Sequence, residues 1–230
     1  TRSSEVSWAR DVYKRQHVSL ESNVETVNVL KGINLKILED NSISIMGESG
    51  AGKSTLAMTI AGLELISNGK IYFKGSPIHH LKEDELANYR SKNVGIIFQS
   101  FNLLPSMTAL ENVNLPNQIS GVLIDDKKGI ELLKSVGLKN RLNHYPHQLS
   151  GGEQQRVAIA RSLISSPEII IADEPTGNLD KRNSEEVMKL IFKLQSDFAS
   201  TLILVTHDET IAKQCNKIIK LDNGLIVKDE

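Results

Sequence analysis

A glycine-rich segment followed by a lysine and two hydroxyl residues could bind phosphate. The segment consists of Gly47, Glu48, Ser49, Gly50, Ala51, Gly52, Lys53, Ser54 and Thr55, and it fits the pattern G-x-x-x-x-G-K-[ST]. Glycines let backbone N–H groups turn towards an anion, and a helix N-terminus adds about half a positive charge. Lys53 would reach the β- and γ-phosphates of a nucleotide, and the Ser54 hydroxyl would bind Mg²⁺. A glycine-rich turn without chemistry would not require this lysine.

A second glycine-rich helix start lies at residues 149–153. Ser150 and Glu153 have the spacing of a capping box, so the segment could be a well-capped helix start and nothing else. Gly151 and Gly152 are not explained by capping, because glycine in a helix costs about 1 kcal/mol relative to alanine. Close approach of the backbone to a phosphate would explain them. Two anion-binding helix starts in one chain suggest a nucleotide clamped between two copies.

Acidic side chains follow a continuous apolar run at 169–172. Such a run is typical of a parallel strand that is buried on both faces, and it ends at Asp173 and Glu174. Ligands of open α/β sheets bind at the carboxyl ends of the strands. We therefore expect Asp173 to hold Mg²⁺, directly or through water, and Glu174 to orient and polarise the attacking water.

Two more apolar runs end in a polar residue. Residues 94–98 are followed by Gln99, and residues 202–206 by His207. Gln99 can offer its amide oxygen to Mg²⁺ or water, and His207 can donate to the γ-phosphate. Each residue alone would be an ordinary polar strand end, but four strand ends meeting at one phosphate site favour a functional role.

Together these motifs resemble those of the nucleotide-binding subunit of ABC transporters. The resemblance runs from about residue 24 to the end of the chain. It identifies 47–54 as Walker A, Gln99 as the glutamine loop, 149–153 as the signature, 169–173 as Walker B, 178–180 as the D-loop with Asp180, and His207 as the switch histidine. Residues 101–105 and 172–180 are similar to the lipoprotein-releasing, macrolide-export and antimicrobial-peptide-export branch. The cell-division ATPase of that branch looks similar.

The resemblance implies an ATP- and Mg²⁺-dependent hydrolase that works as an ATP-dependent, head-to-tail homodimer. It makes Glu174 and His207 catalytic, Gln99 and residues 47–55 ATP-binding, and Ser54, Gln99 and Asp173 the metal ligands. Ser150, Gly151, Gly152 and Glu153 would contact the ATP of the other copy. A membrane-spanning permease on a separate chain would dock at residues 99–104, which places the subunit on the cytoplasmic face of the membrane.

The implied function is ATP-driven export or extraction. One alternative is a cell-division-type ATPase that transmits force across the membrane without transport. Another is a soluble ATP-driven clamp, although that class usually carries a long insertion between the nucleotide motifs or two fused cassettes. The adenine-stacking residue is also open, because residues 18–28 contain no aromatic side chain, Leu20 lies near the expected place and Tyr13 lies further upstream.

The predicted fold is α/β, with a P-loop NTPase (RecA-like) core, a mostly parallel sheet, an N-terminal antiparallel β segment and a helical signature subdomain. Residues 33–37 and 70–73 are expected to flank the nucleotide-binding strand. Residues 1–16 lack the resemblance and are interpreted as a non-native or disordered lead, and 17–230 as one domain. In that domain 17–99 and 166–230 form the core lobe, and 100–165 form a helical lobe with helices near 109–119, 127–136 and 153–164.

Composition narrows the remaining possibilities. The 230 residues carry a net charge of -1 and 4% aromatic residues, so nucleic acid is not an expected partner. Cys215 is the single cysteine, which excludes a disulfide framework and favours a reducing compartment. His79 and His80 lack partners at ligand spacing and are interpreted as a surface loop. No apolar stretch approaches the roughly 18 residues of a membrane span, so a transport pathway is expected on another chain.

Overall fold

The structure is a computed structural model, and it describes residues 13–21, 26–122 and 126–229. The strands in these ranges are β1 (Tyr13–Glu21), β2 (Thr26–Leu35), β3 (Ser42–Met46), β4 (Asn68–Phe73), β5 (Ser76–Pro77), β6 (Val94–Phe98), β7 (Ile169–Asp173), β8 (Thr201–Val205), β9 (Lys217–Asp222) and β10 (Leu225–Asp229). The helices are α1 (Lys53–Ile60), α2 (Glu83–Asn93), α3 (Ala109–Ile119), α4 (Asp126–Ser135), α5 (Gly151–Leu163), α6 (Lys181–Asp197) and α7 (Glu209–Ala212), with a single 3-10 turn at Pro146–Gln148.

The main sheet has six strands in the order β10-β9-β3-β8-β7-β6. Five neighbouring strands are parallel, in the order β9, β3, β8, β7 and β6. Strand β10 pairs antiparallel with β9 at one edge of the sheet. Every residue of β3 and β8 is buried, and β8 accordingly has a continuous apolar run at 202–205, whereas β3 also buries Ser42 and Ser44. The carboxyl ends of β3, β6, β7 and β8 therefore share one edge of the sheet, as the sequence predicts.

A second, antiparallel sheet has the order β2-β1-β4-β5. The predicted antiparallel segment with residues 33–37 and 70–73 is confirmed, since β2 and β4 lie in this sheet, but it does not pair with β3, whose neighbours are β8 and β9. The burial pattern gives the physical reason. Ile33 and Leu35 are buried while Asn34 between them is exposed, so β2 covers a core with one face only. A strand of that kind suits an antiparallel sheet with a solvated face.

Helices α3, α4 and α5 pack against one another and form the predicted helical lobe. Their core includes Val113, Leu133 and Val157, and it continues without a break into apolar side chains of the main sheet such as Ile170 and Leu204. Helix α5 also packs directly on β6. The start of α5 is thus held by the same core that holds the strand ends of the sheet.

Three features lie outside the sequence predictions. Helix α2 buries only Leu86 and Tyr89, so its periodic apolar signal is weak. Helix α7 has four residues, Glu209–Ala212, and is capped by the Asp208 side chain that precedes it. Strand β1 starts at Tyr13, inside the segment interpreted as a lead, and residues 1–12 lie outside the described ranges. The lead and the lobe boundaries stay predictions.

Candidate functional site

The phosphate loop connects β3 to α1 and depends on its glycines. Gly47, Gly50 and Gly52 have φ values of 152°, 81° and 97°, which L side chains rarely adopt. A Cβ at Gly47 would lie 2.3 Å from the carbonyl oxygen of Leu221, so the β9–β10 hairpin also excludes a side chain there. Helix α1 begins without a side-chain cap from any described residue. Its first N–H groups can therefore bind an anion.

Lys53 and Ser54 present a cation and a hydroxyl at this helix start. The Lys53 ammonium donates to the carbonyl oxygens of Gly47 and Glu48, both at 2.9 Å. The Ser54 hydroxyl donates to Oδ1 of Asp173 at 3.0 Å. The tertiary structure thus brings together the end of β7 and the start of α1, which the sequence predicts to share a metal ion.

Asp173 has an unusual electrostatic environment. Burial raises the pKa of its carboxyl, the neighbouring Glu174 carboxylate raises it further, and the Ser54 hydroxyl and the Lys53 ammonium oppose this shift. A divalent cation at the Ser54 and Asp173 oxygens would favour the ionised carboxylate. Mg²⁺ is usually held by one or two protein oxygens together with phosphate oxygens and water, and this pair of oxygen donors fits that pattern.

Glu174 and His207 form the second functional pair. Nδ1 of His207 lies 2.9 and 3.0 Å from the two carboxylate oxygens of Glu174. The His207 side chain is 76% exposed, whereas Glu174 is only 20% exposed. Glu174 has a φ of 45°, which is uncommon for a residue with a side chain, and its N–H donates to the Val205 carbonyl at 3.0 Å. The strand end of β8 therefore fixes the turn that aims Glu174 at His207.

Gln99 lies against the loop that follows Glu174. A Cβ on Gly177 would be 2.6 Å from Nε2 of Gln99, and the side-chain amide of Asn178 donates to the Gln99 carbonyl at 3.0 Å. Gln99 thus joins the same edge of the sheet as expected. Its role as a ligand of Mg²⁺ stays a prediction.

The glycine-rich start of α5 is a capping box, as its spacing predicts. The Glu153 N–H donates to the Ser150 hydroxyl at 3.3 Å, and the Ser150 N–H donates to Oε2 of Glu153 at 2.9 Å. Arg141 donates to Oε1 of the same carboxylate at 2.9 Å. The hydrogen bond from the Ser150 backbone and the contact with Arg141 lower the pKa of Glu153 to about 2. Both carboxylate oxygens of Glu153 therefore have hydrogen-bond partners within the chain. At this helix start, Ser150 and Gly151 are the residues that could still contact a ligand.

Comparison with known proteins decides the family. The model of the ABC transporter family matches residues 30–177, which is more than half of the chain. The chain belongs to the ABC transporter family. Its fold and its phosphate loop are those of an ATP-hydrolysing cassette of this family, and the roles of Glu174 and His207 stay predictions.

Two relatives and one solved structure illustrate the similarity. The lipoprotein-releasing system ATP-binding protein LolD of Bacteroides fragilis is 45% identical over 204 residues, which is 88% of this chain and 94% of LolD. The macrolide export ATP-binding/permease protein MacB of Bdellovibrio bacteriovorus is 48% identical over 204 residues, 89% of this chain but 31% of MacB. A dimeric structure of the ATP-binding cassette MJ0796 in a post-hydrolysis state with ADP and Pi superposes with a TM-score of 0.87 at 40% identity, covering 95% of this chain and 97% of that chain. The resemblance to the lipoprotein-releasing and macrolide-export branch is confirmed.

The structure of this ABC cassette separates the two signature glycines. A Cβ on Gly152 would lie 2.7 Å from Oδ1 of Asn183, whereas a Cβ on Gly151 would meet nothing nearer than 3.6 Å. Packing inside the chain therefore explains Gly152. It does not explain Gly151, for which the approach of a phosphate stays the prediction.

Asp180 of the D-loop caps helix α6. Its Oδ1 accepts the Asn183 N–H at 2.9 Å, and its Oδ2 accepts the Asn183 side-chain amide at 2.6 Å. These bonds lower the pKa of the Asp180 carboxyl. The side chain of Asn183 thus touches both the D-loop and the signature, a contact that the sequence analysis missed.

Two polar residues of α5 were also missed. Gln155 is fully buried and donates to the Pro175 carbonyl at 2.6 Å. Arg161 donates to the carbonyls of Phe101 at 2.8 Å and Asn102 at 2.5 Å. Both are polar residues among the apolar positions of a helix. This pattern could have indicated that each has a hydrogen-bond partner, because a buried polar group needs one.

Some sequence-level candidates fall elsewhere. Tyr13 and Leu20, considered for adenine stacking, lie on β1, whose side chains are outside the described part of the structure. His79 is held by the backbone of Ile71, with Nδ1 2.9 Å from the carbonyl oxygen, and its ring packs on His80. None of the helices described is long and apolar enough to cross a membrane.

Proposed function

We propose that two copies of this ATP-binding subunit associate head to tail and enclose two ATP molecules. In each site the phosphate loop of one copy would hold the phosphates, and Ser150 and Gly151 of the other copy would contact the γ-phosphate. One observation carries the proposal: Ser54, Asp173, Glu174 and His207 converge in pairs at one sheet edge. Ser150 at the start of α5 is exposed, and among the described residues its side-chain hydroxyl is hydrogen-bonded to the Glu153 N–H alone. The dimeric form of the solved relative supports it.

Hydrolysis would then follow from the side chains at that edge. Lys53 would leave the carbonyls of the loop to bind the β- and γ-phosphates, because phosphate is the stronger acceptor for an ammonium. Ser54 and Asp173 would hold Mg²⁺, which neutralises charge on the phosphate oxygens when it is bound. Glu174 would orient the attacking water, and His207 would hold the Glu174 carboxylate in place and donate to the γ-phosphate. Loss of the γ-phosphate would remove the contact with the signature and open the dimer.

Dimer opening would drive a membrane-spanning permease, for export or extraction of a substrate. The names of the LolD and MacB relatives support this class of function. The name of LolD, an ATP-binding protein of a releasing system, is the support for a permease on a separate chain. We place the subunit at the cytoplasmic face of the membrane and its permease contact at residues 99–104, where Leu104 is 40% exposed.

The test of the ATPase proposal is Glu174→Gln. This variant keeps the size of the side chain but replaces one accepting oxygen with an NH2 group and cannot polarise water, so we expect ATP binding to persist and turnover to fall at least about 100-fold. It should also accumulate as an ATP-stabilised dimer in size-exclusion chromatography. Glu209→Gln is the matched control, because Glu209 is two residues from His207 in the chain, is 64% exposed, and forms ion pairs with Lys213 and Lys220. Unchanged turnover in Glu174→Gln would remove Glu174 from the mechanism.

The test of the membrane proposal uses the same variant. Glu174→Gln would be purified by affinity from detergent-solubilised native membranes with ATP and Mg²⁺, and its partners identified by mass spectrometry. We expect a protein with several membrane spans. Soluble partners alone, obtained with an ATP-locked dimer, would favour the soluble clamp and contradict a permease contact at 99–104.

A further inference from the structure

Asn183 occupies a position between two functional segments of the chain. Its side-chain amide donates to Oδ2 of Asp180 at 2.6 Å, and its carbonyl oxygen lies over Gly152, 2.7 Å from where a Cβ would be. The Asn183 backbone N–H also donates to Oδ1 of Asp180 at 2.9 Å. One side chain therefore spans from the first turn of α5 to the D-loop.

From Asp180 a series of turns leads back to Glu174. The N–H of Gly177 donates to the Glu174 carbonyl and the N–H of Leu179 donates to the Thr176 carbonyl, both at 3.0 Å. The segment 174–180 is thus a short, internally bonded unit with Glu174 at one end and Asp180 at the other. A displacement at Asp180 would therefore act on a hydrogen-bonded segment that ends at Glu174.

We infer that Asn183 is a positioning residue that couples the two ATP sites of the dimer. The inference rests on the proposed shared site. In that dimer the signature of one chain binds the ATP of the other chain, while Glu174 of the first chain acts at its own ATP. Because Asn183 joins the signature turn to the segment 174–180, it links the occupancy of one site to the alignment of Glu174 in the other.

The contact between Asn183 and the signature turn also depends on the absence of a side chain at position 152. Any Cβ there would push away Oδ1 of the Asn183 side chain. That movement would break or displace the hydrogen bond from the Asn183 side-chain Nδ2 to Oδ2 of Asp180. Glycine would therefore be required at position 152 by the contact with Asn183 in the same chain, in contrast to Gly151. This requirement does not depend on any direct contact between Gly152 and nucleotide.

A double-mutant cycle on Gly152→Ala and Asn183→Ala tests the contact without any need for a dimer. In denaturant unfolding we expect Gly152→Ala to lower the folding equilibrium constant about tenfold, because it overpacks the space under Asn183. In the Asn183→Ala background the same change should cost less than about threefold, because the obstructing side chain is gone. Equal costs in both backgrounds would overturn the assigned contact.

The coupling is tested by the ATPase kinetics of Asn183→Ala. We expect turnover to fall about tenfold and the Hill coefficient for ATP to fall from its wild-type value, between about one and two, to about one. The affinity of the monomer for a fluorescent ADP analogue should change less than about twofold. Asn183→Asp is the second variant, because it keeps the shape over Gly152 but places a carboxylate against Asp180. Lys189→Ala, at an exposed position of the same helix, is the control.

The outcomes separate this inference from the proposed function. If Glu174→Gln fails to dimerise with ATP, the shared site itself is wrong. If Glu174→Gln dimerises and the wild type is cooperative, but both Asn183 variants keep wild-type turnover and Hill coefficient, the shared site stands and the coupling role of Asn183 is overturned. A wild-type Hill coefficient of one would also overturn the coupling.

Discussion

Two neighbouring glycines of the signature illustrate how identical residues serve different purposes. Gly152 lies under the Asn183 side chain, whereas Gly151 has room for a Cβ against Leu179 and Phe101, at 3.6 and 3.8 Å. Both are part of helix α5, where glycine is costly. Packing thus explains Gly152, whereas a function of Gly151 outside the chain stays a prediction.

The first prediction concerns Gly151→Ala. The substitution should leave the fold as stable or stabilise it by up to about 1 kcal/mol, because alanine is the better helix former and nothing obstructs its methyl group. The same methyl group would face the γ-phosphate of the other copy, so ATP-dependent dimerisation should be lost in the Glu174→Gln background. Urea unfolding and size-exclusion chromatography measure the two effects. A variant that is destabilised yet still dimerises would contradict the assignment.

The second prediction concerns the Glu153 carboxylate. Its pKa is about 2, below the ordinary value of 4.5, so its ionised form stabilises the folded state. This contribution is complete above a pH of about 4.5 and is lost as the pH falls from there towards about 2. The difference in unfolding free energy between the wild type and Glu153→Gln should therefore be constant above about pH 5 and shrink below it.

Glu111→Gln provides the matched control for Glu153. Glu111 forms the same kind of capping box with Thr108. Hydrogen bonds from the backbone and the side chain of Thr108 lower the pKa of the Glu111 carboxyl. Unlike Glu153, it has no arginine among the causes of its shift. We expect a smaller effect of Glu111→Gln on the urea midpoint at neutral pH. Equal effects would mean that the contact with Arg141 contributes nothing.

At the scale of elements, α5 joins the signature to the predicted permease contact. Its first residue follows Ser150, Gln155 bonds to the Pro175 carbonyl, and near its end Arg161 bonds to the carbonyls of Phe101 and Asn102. Phe101 and Asn102 have φ values of 57° and 50°, which are unfavourable for residues with side chains. The two bonds from Arg161 offset that backbone strain, so α5 holds the loop in its shape.

The third prediction is that Arg161→Met loosens this loop. We expect a loss of about 2 kcal/mol of folding stability, since two charge-assisted bonds disappear and their carbonyls must find water. Amide hydrogen exchange in residues 99–105 should accelerate more than in α3. Arg161→Lys is the control that keeps the charge but cannot form the same two-pronged contact, and it should show an intermediate effect. Unchanged exchange in Arg161→Met would show that the loop keeps its shape without the arginine.

At the scale of the whole molecule, the nucleotide machinery is divided between two surfaces. The sheet edge carries the phosphate loop, Asp173, Glu174 and His207, and the helical lobe carries the signature. One continuous core joins the helical lobe to the sheet. In the proposed head-to-tail dimer, one surface of each chain would form each site, so each site would depend on both copies.

The fourth prediction is that two inactive variants restore activity when mixed. Lys53→Ala removes the phosphate-binding lysine, and Ser150→Arg blocks the signature. A mixed dimer would contain one doubly damaged site and one intact site, formed by Lys53 of one chain and Ser150 of the other. We expect ATPase activity well above the sum of the separate preparations and at most about half of the wild-type turnover. No gain on mixing would contradict sites shared between chains.

The chain's own sequence was enough to locate the phosphate loop, the acidic and polar strand ends and the helices of the second lobe. These features depend on local patterns: the run of glycines, the apolar strands that precede Asp173 and Gln99, and the periodic apolar positions of α3 and α5. Strand β6 and helix α3 have the bounds that the sequence predicts. Such features need no knowledge of distant neighbours, because they follow from backbone propensity and burial.

Three-dimensional packing was needed for the features that join distant segments. It assigned β2 and β4 to a second sheet, brought Asn183 over Gly152, directed Arg161 to the carbonyls after Gln99, and set His207 against Glu174. No local pattern encodes these contacts, since each depends on how two separately formed elements pack on a common core. The sequence therefore revealed the parts of an ATPase, and packing established which of those parts contact each other.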